Sequence, residues 1–215
     1  MREALDRELS RITELFLGMA EKTKEMLTGA TEALVKGDGE LAERVVGQDE
    51  EVDRLEAAIE DEAIATIARH QPVASDLRFL VMVLKAVTDL ERAGDYAAHV
   101  AEDALLLSKE PPLKRYVLLP EMAARLGSML DLVAKSVAEK NAGAALEVLK
   151  LDDEVDDLYD QLTRELITYM LEDPRTIGKA LTLLRVARSY ERFGDHLENI
   201  AERVVYWVTG EVPRR

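Results

Sequence analysis

The sequence predicts an all-α fold, a tandem duplication of an antiparallel three-helix bundle with six long helices, on three observations. Strand signals are nearly absent, while long stretches place apolar residues at helical period. Apolar residues make up 47% of the chain and charged residues 33%, with 5% aromatics, the balance of a helical globular protein. One polar segment also occurs twice: Asp89-Leu-Glu-Arg-Ala-Gly-Asp95 recurs as Ser189-Tyr-Glu-Arg-Phe-Gly-Asp195, 100 residues on.

The elements follow from the breaks between them. A first helix over about 3–36 stops at Gly37-Asp38-Gly39, and a second over about 40–70 stops at Gln71-Pro72. Ser75 or Asp76 is expected to cap a third helix reaching about 108. Lys109-Glu110-Pro111-Pro112 is the strongest break and is expected to part a first bundle, 1–110, from a second, 115–215. A fourth helix then spans about 116–140, a fifth runs from Asn141 to about 172, and Asp173-Pro174 opens a sixth that ends near Thr209-Gly210. Outside the opening segment, Asp49–Leu55 matches Asp152–Leu158 at an offset of 103, Pro72 matches Pro174 at 102, and Lys36-Gly37 matches Lys140-Asn141 at 104. Offsets that drift only at loops are those of a duplicated unit. Gly18, Gly29, Gly47 and Gly127 weaken single helices, at about 1 kcal/mol each against Ala, without overturning the pattern.

Charge excludes several functions. A net charge of −15 and a pI near 4.7 leave a surface that repels nucleic-acid phosphates and anionic lipid alike. With no cysteine there is no disulfide framework, thiolate metal site or Cys nucleophile, which fits a cytoplasmic protein. The charged N-terminus does not read as a signal peptide. The longest apolar run, Phe79 to Leu84, is far short of the roughly 20 residues that span a bilayer. Phosphate-cradling glycine loops, G-x-S-x-G and H-E-x-x-H are all missing.

What the chain does carry is carboxylates. Asp49/Asp53, Glu91/Asp95, Asp152/Asp156 and Glu191/Asp195 are four i,i+4 pairs, each on one face of a helix. The first pair lies about 19 residues before the turn near His70, and the second about 18 residues after it. Both are therefore some 27–29 Å from that turn at about 1.5 Å per residue. The second repeat gives nearly the same distances, so each half can bring four acids to one level, although level does not fix facing. Four close carboxylates need raised pKa values, arginines or bound cations. Arg92 and Arg192 point about 100° away from the preceding glutamates, and one arginine does not neutralise four acids. Gly94 and Gly194 remove bulk on the glutamate side, as for close approach of a backbone or ligand. Cations fit best, with oxygen-only ligation favouring Mg, Mn, Ca or Fe over Zn. Glu102 and Glu202 return to the same face farther along. His70, His99 and His196 read as surface or capping residues, and Trp207, Tyr206 and Phe193 as core or interface.

At these residues the chain resembles the PhoU family of phosphate-signalling regulators. The resemblance rests on Gln71-Pro-Val-Ala-Ser-Asp-Leu-Arg78, on Leu-Lys-Ala-Val-Thr-Asp-Leu-Glu-Arg-Ala-Gly-Asp95, and on the second Glu-Arg-Phe-Gly-Asp195. It covers essentially the whole chain, with a looser second repeat in which Asp173-Pro174-Arg175 lacks the Asp-Leu-Arg element. It implies a cytoplasmic protein that acts with a phosphate-specific ABC transporter and a sensor histidine kinase, and represses the starvation response when phosphate is plentiful. It also implies multinuclear clusters of iron or zinc on E(D)-x-x-x-D motifs, which here are the four pairs already singled out.

The expected function is thus a non-enzymatic, metal-binding regulator of phosphate uptake. A carboxylate-bridged di-metal enzyme is the first alternative, though no histidine here has Glu three residues before it, as di-iron bundles require. A metal-free helical scaffold is the second. The oligomeric state stays open, a homodimer among the options.

Overall fold

The computed structural model describes residues 2–211; Met1, at the edge of the expected first bundle, and residues 212–215, at the edge of the expected second, lie outside the described residues. The helices are α1 (Arg2–Lys36), α2 (Gly39–Val46), α3 (Asp49–His70), α4 (Ala74–Leu107), α5 (Leu118–Ala138), α6 (Ala142–Glu172) and α7 (Ile177–Thr209), with a single 3-10 turn, Pro174–Thr176, leading into α7. No strand occurs among the described residues.

The first repeat is α1 to α4 and the second α5 to α7. The expected second helix is broken in two. At Gly47 the backbone N–H still reaches back four residues to Glu43, but Gln48 bonds to Val45 only three residues back, and α3 starts afresh. In the second repeat Lys150 stands in the place of Gly47 and the helix runs on unbroken. The poor helix former that sequence reading discounted therefore does interrupt the chain.

The turns also correct one alignment. Asp38 and Asn141 each cap the following helix, accepting the N–H of Leu41 (2.9 Å) and Ala144 (3.0 Å). Their own N–H groups bond five residues back, to Ala33 and Ser136. The left-handed residues before them are Gly37 (φ 65°) and Lys140 (φ 51°). Gly37 thus corresponds to Lys140, at the offset of 103 that also relates Asp49 and Asp53 to Asp152 and Asp156. The Ser75 or Asp76 cap is not formed: Val73 precedes α4 with no side-chain cap, and Asp76 pairs with Arg2 at 2.6 Å. Asp173 does open the last element, accepting the Arg175 N–H at 3.0 Å.

The two repeats pack as one body around an approximate two-fold relation. α4 and α7 form the most extensive helix contact, α1 packs against α5 beneath them, and α3 and α6 flank α4 and α7 on the outside. The core runs continuously through both halves, from Ile12, Phe16 and Met26 of α1 to Leu80 and Leu90 of α4 and Tyr190 and Phe193 of α7, all without solvent contact. At about 1.5–3 kcal/mol per large apolar side chain, this burial is what holds the long helices together. The Tyr190 hydroxyl is satisfied inside the core by Thr31 Oγ1 at 2.7 Å, and burial pushes its pKa upward. α4 and α7 are buried on most sides and each keeps one exposed stripe, Leu77, Val81 and Lys85 on α4 and Ile177, Leu181 and Arg185 on α7.

Candidate functional site

All eight sequence-predicted ligands come together in two clusters, one per repeat. In the first, α3 runs antiparallel to α4, and Asp49 and Asp53 face Asp95 and Glu91. Burial raises the Asp49 pKa, and the Asp95 and Asp53 charges raise it further. Glu91 is pushed up to about 7, by burial first and then by Asp95. In the second cluster α6 and α7 repeat the arrangement. Asp152, only 7% exposed, is pushed up to about 7 by burial and by the charges of Glu198, Asp156 and Asp195. Asp156 and Glu191 are raised for the same reasons, with Asp195 the strongest charge on each. In each repeat the acids of the two helices are both level and close enough to act on one another's charge.

The two glycines do not do the same job. A Cβ on Gly194 would lie 2.6 Å from Asp152 Oδ1, so this glycine gives room to a carboxylate of the site. A Cβ on Gly94 would lie 3.3 Å from Val52 Cγ1, so that glycine lets α3 and α4 close on each other beside the site. Only Gly194 has the ligand-side role that the repeat suggested for both.

The arginines reach farther than their sequence neighbours allow. Arg92 and Arg192 each bridge to the Asp three residues on, at 3.1 Å to Asp95 Oδ2 and 2.9 Å to Asp195 Oδ2. Arg188 adds a 2.7 Å contact to Glu191. Compensation is still partial. Asp49 Oδ1 and Glu191 Oε2 are both enclosed and accept no hydrogen bond. Glu191 Oε2 has the Arg192 Nε at 3.7 Å, which offsets part of its lost solvation, whereas Asp49 forms no ion pair among the described residues and its enclosed oxygen is the less compensated of the two.

Some acids of the clusters were missed because they are not duplicated. Glu56, one turn beyond Asp53, has its pKa raised by burial while Thr88 hydrogen-bonds to it. Its counterpart is Tyr159, with the Arg188 guanidinium 6.0 Å from the ring centroid. Thr88 and Arg188 are themselves equivalent, so the same contact is made with different chemistry. Glu198, whose counterpart is Ala98, exerts the largest charge effect on Asp152. The i, i+4, i+7 spacing of Asp49, Asp53 and Glu56 was the available signal. Glu102 does act on Asp49, as does His99, in the opposite sense. Among the described residues, no group of three or more His, Asp or Glu side chains is already arranged to hold a metal ion.

His196 is not a surface residue. Its Nδ1 lies 2.9 Å from Asp89 Oδ1 across the α4–α7 seam, where Arg203 also pairs with Asp89. Tyr206 is exposed rather than core, whereas Trp207 and Phe193 are buried.

A duplicated helical unit with one acidic cluster per repeat is the class of protein that the fold and site define. The PhoU domain model matches residues 16–104 and 119–204, one match per repeat, and the chain belongs to the PhoU family. It is 50% identical over 210 residues to the phosphate-specific transport system accessory protein PhoU homolog of Deinococcus radiodurans, covering 98% of this chain and 99% of that one. The Aquifex aeolicus homolog of the same name is 46% identical over 208 residues, covering 97% and 94%. The crystal structure of PhoU from Pseudomonas aeruginosa superposes with a TM-score of 0.92 at 37% identity, covering 96% of this chain and 99% of that one. That of the phosphate transport system regulatory protein PhoU from Streptococcus pneumoniae gives 0.90 at 30%, covering 98% and 100%. The chain is therefore a regulatory accessory protein and not an enzyme. No helix among the described residues is long and apolar enough to cross a membrane.

Proposed function

We propose that this protein is a cytoplasmic, metal-binding regulator of phosphate uptake and phosphate-starvation signalling, an adaptor between a phosphate-specific ABC transporter and a sensor histidine kinase. The observation that carries the metal part is Asp49 Oδ1, enclosed beside Asp53 and Asp95 with neither a hydrogen bond nor an ion pair among the described residues, matched in the second cluster by Asp152, buried among Asp156, Asp195 and Glu198. Asp49, Asp53, Glu91 and Asp95 would hold one cluster of ions, and Asp152, Asp156, Glu191 and Asp195 the other. Iron or zinc is the expected metal, with Mn or Mg as alternatives, and the oxygen-only ligands suit iron, Mn and Mg better than zinc. The ions would supply the positive charge that the arginines supply only in part, drawing the carboxylates of neighbouring helices together and stiffening each pair.

Elemental analysis tests the reading. Wild-type protein should carry metal, and the double substitution Asp49→Ala with Glu91→Ala should lower its content by about half, because the second cluster remains intact. Unchanged stoichiometry would remove these residues as ligands, and a wild type that stays metal-free after reconstitution would favour the plain scaffold. The adaptor part is tested by pull-down with purified transporter and kinase components in the presence of phosphate. Failure to bind both would defeat it.

A further inference from the structure

The exposed stripe of α4 borders a groove whose charge runs against the rest of the molecule. Leu77, Val81 and Met82 of α4 and Tyr206 of α7 form its apolar part, in a volume of about 450 Å³, and Arg78, Lys85 and Arg203 form its rim. No carboxylate lines it. Arg203 is neutralised by Asp89, but Arg78 and Lys85 form no ion pair among the described residues. The Arg78 Nε is enclosed and has no hydrogen-bond partner. Two uncompensated cations beside exposed apolar side chains are out of place on a chain of net charge −15.

The second repeat serves as the internal control. Ile177 and Leu181 stand where Leu77 and Val81 do, and all four are exposed, at 41%, 50%, 37% and 42% respectively. Leu106 takes the place of Tyr206 and is exposed as well. The charges differ. Gly178 replaces Arg78, and Arg185, in the place of Lys85, is paired with Asp103. The other cations beside this second groove, Lys179 and Arg175, are held by Glu110 and Asp173 at 2.9 Å each. The duplication keeps the apolar steps in both halves and leaves the positive charge unanswered in one.

We infer that the groove between the first half of α4 and the last half of α7 is a docking site for an acidic amphipathic helix of a partner protein. Leu77 and Val81, one helical turn apart, offer apolar contact, and Arg78 and Lys85 select carboxylates flanking the partner's apolar residues. This inference rests on the adaptor reading. A second copy of the chain does not fit as a two-fold occupant: an isologous contact through this face would set the Arg78 and Lys85 patch against its own copy.

The test is selection of binders from a displayed library of random 16-residue peptides on the full chain, with counter-selection on an Arg78→Glu, Lys85→Glu variant. Lys85 is exposed and Arg78 half-buried, so circular dichroism and the melting temperature of the variant are checked first and should match wild type. The expected enrichment is for peptides with an apolar pair at i,i+4 flanked by Asp or Glu, whose Kd rises about tenfold or more on the variant. Leu77→Ser, which leaves the charges in place, should weaken the same peptides. Absence of such enrichment, or peptides that bind both proteins equally, overturns the inference. So does binding of wild type but not variant to phosphatidylglycerol vesicles, which would make the face a lipid-binding one, or self-association lost in the variant. Metal content should not change in the variant. If the transporter and kinase components bind wild type and variant alike, the groove assignment falls and the adaptor reading stands. If neither binds wild type, the adaptor reading falls, and the peptide selection decides the groove.

Discussion

Tyr96 and His196 occupy the same place in the two repeats, 100 residues apart, and they stack on each other with ring centroids 5.8 Å apart and planes 28° from parallel. They lie where the two-fold relation between the halves passes through the α4–α7 seam. Asp89 and Arg203, both to one side of that axis, form an ion pair across the α4–α7 seam, and their repeat counterparts are Ser189 and Asp103. Asp103 pairs instead with Arg185, one turn from Ser189. The duplication kept a polar clasp on each side of the axis and changed the partners.

The two clasps should not be equal in strength. Asp89 is buried and gathers Arg203 and His196, so Asp89→Ala leaves a partly buried guanidinium without its carboxylate. The expected loss is about 2–4 kcal/mol. Asp103→Ala frees an arginine whose side chain is 60% exposed and can return to water, for about 1 kcal/mol or less. Urea unfolding midpoints of the two variants check the order, and equal losses would contradict it.

The glycines of the two clusters should respond differently to alanine. At Gly194 the new Cβ displaces the Asp152 carboxylate, which can rotate away, so the change falls on the site more than on the fold. Gly194→Ala should lose metal from the second cluster with little change in thermal stability. At Gly94 the Cβ meets Val52, and the gain of about 1 kcal/mol in helix propensity is set against that crowding. Gly94→Ala should be near neutral in both readouts, measured as metal content and Tm.

The fold was legible because a helix-period pattern and a repeat are local properties, and the eight acids were legible because they are duplicated. The same filter hid Glu56 and Glu198, whose counterparts Tyr159 and Ala98 are not acids. It also made Gly94 and Gly194 look alike, although one clears a valine and the other a carboxylate. The α4–α7 seam had no sequence signal at all. Asp89 and Arg203 are 114 residues apart and belong to no common motif, so only the packing of one repeat on the other shows His196 as a seam residue.

The pH dependence of the metal-free protein follows from the clusters. Asp49, Glu56, Glu91, Asp152, Asp156 and Glu191 all have folded-state pKa values above their ordinary ones, Glu91 and Asp152 at about 7. Below pH 4 such groups are protonated in both states and cost nothing. As pH rises from about 4 towards 7 the unfolded chain releases protons first, so stability falls across that window and levels off above it. For Asp152 alone the full loss is on the order of 4 kcal/mol. Glu8 and Asp173, with lowered values, act in the opposite sense but only below the ordinary carboxylate range. Metal-free protein should therefore melt higher at pH 5 than at pH 8, and added metal should reverse the order by holding the carboxylates ionised. A melting temperature that rises from pH 5 to pH 8 without metal would contradict the placement of these acids.

The break between α2 and α3 yields the last prediction. Gly47 sits at φ −69°, within the ordinary helical range, so no left-handed conformation requires glycine there. A Cβ would meet only the Arg44 carbonyl oxygen at 3.5 Å and the Glu43 carbonyl oxygen at 3.7 Å, both ordinary contacts. The second repeat shows that the same stretch can run as one helix when Lys150 stands in this place. Gly47→Ala should therefore stabilise the protein by about 0.5–1 kcal/mol. Because Asp49 begins α3 only two residues later, a helix made continuous through this point also fixes the entry to the first cluster. Amide hydrogen exchange should show slower exchange at Gln48 and Asp49 in the variant. A destabilised variant would mean that the break itself is needed, as the hinge that lets α2 pack on α4 while α3 keeps its acids level with Glu91 and Asp95.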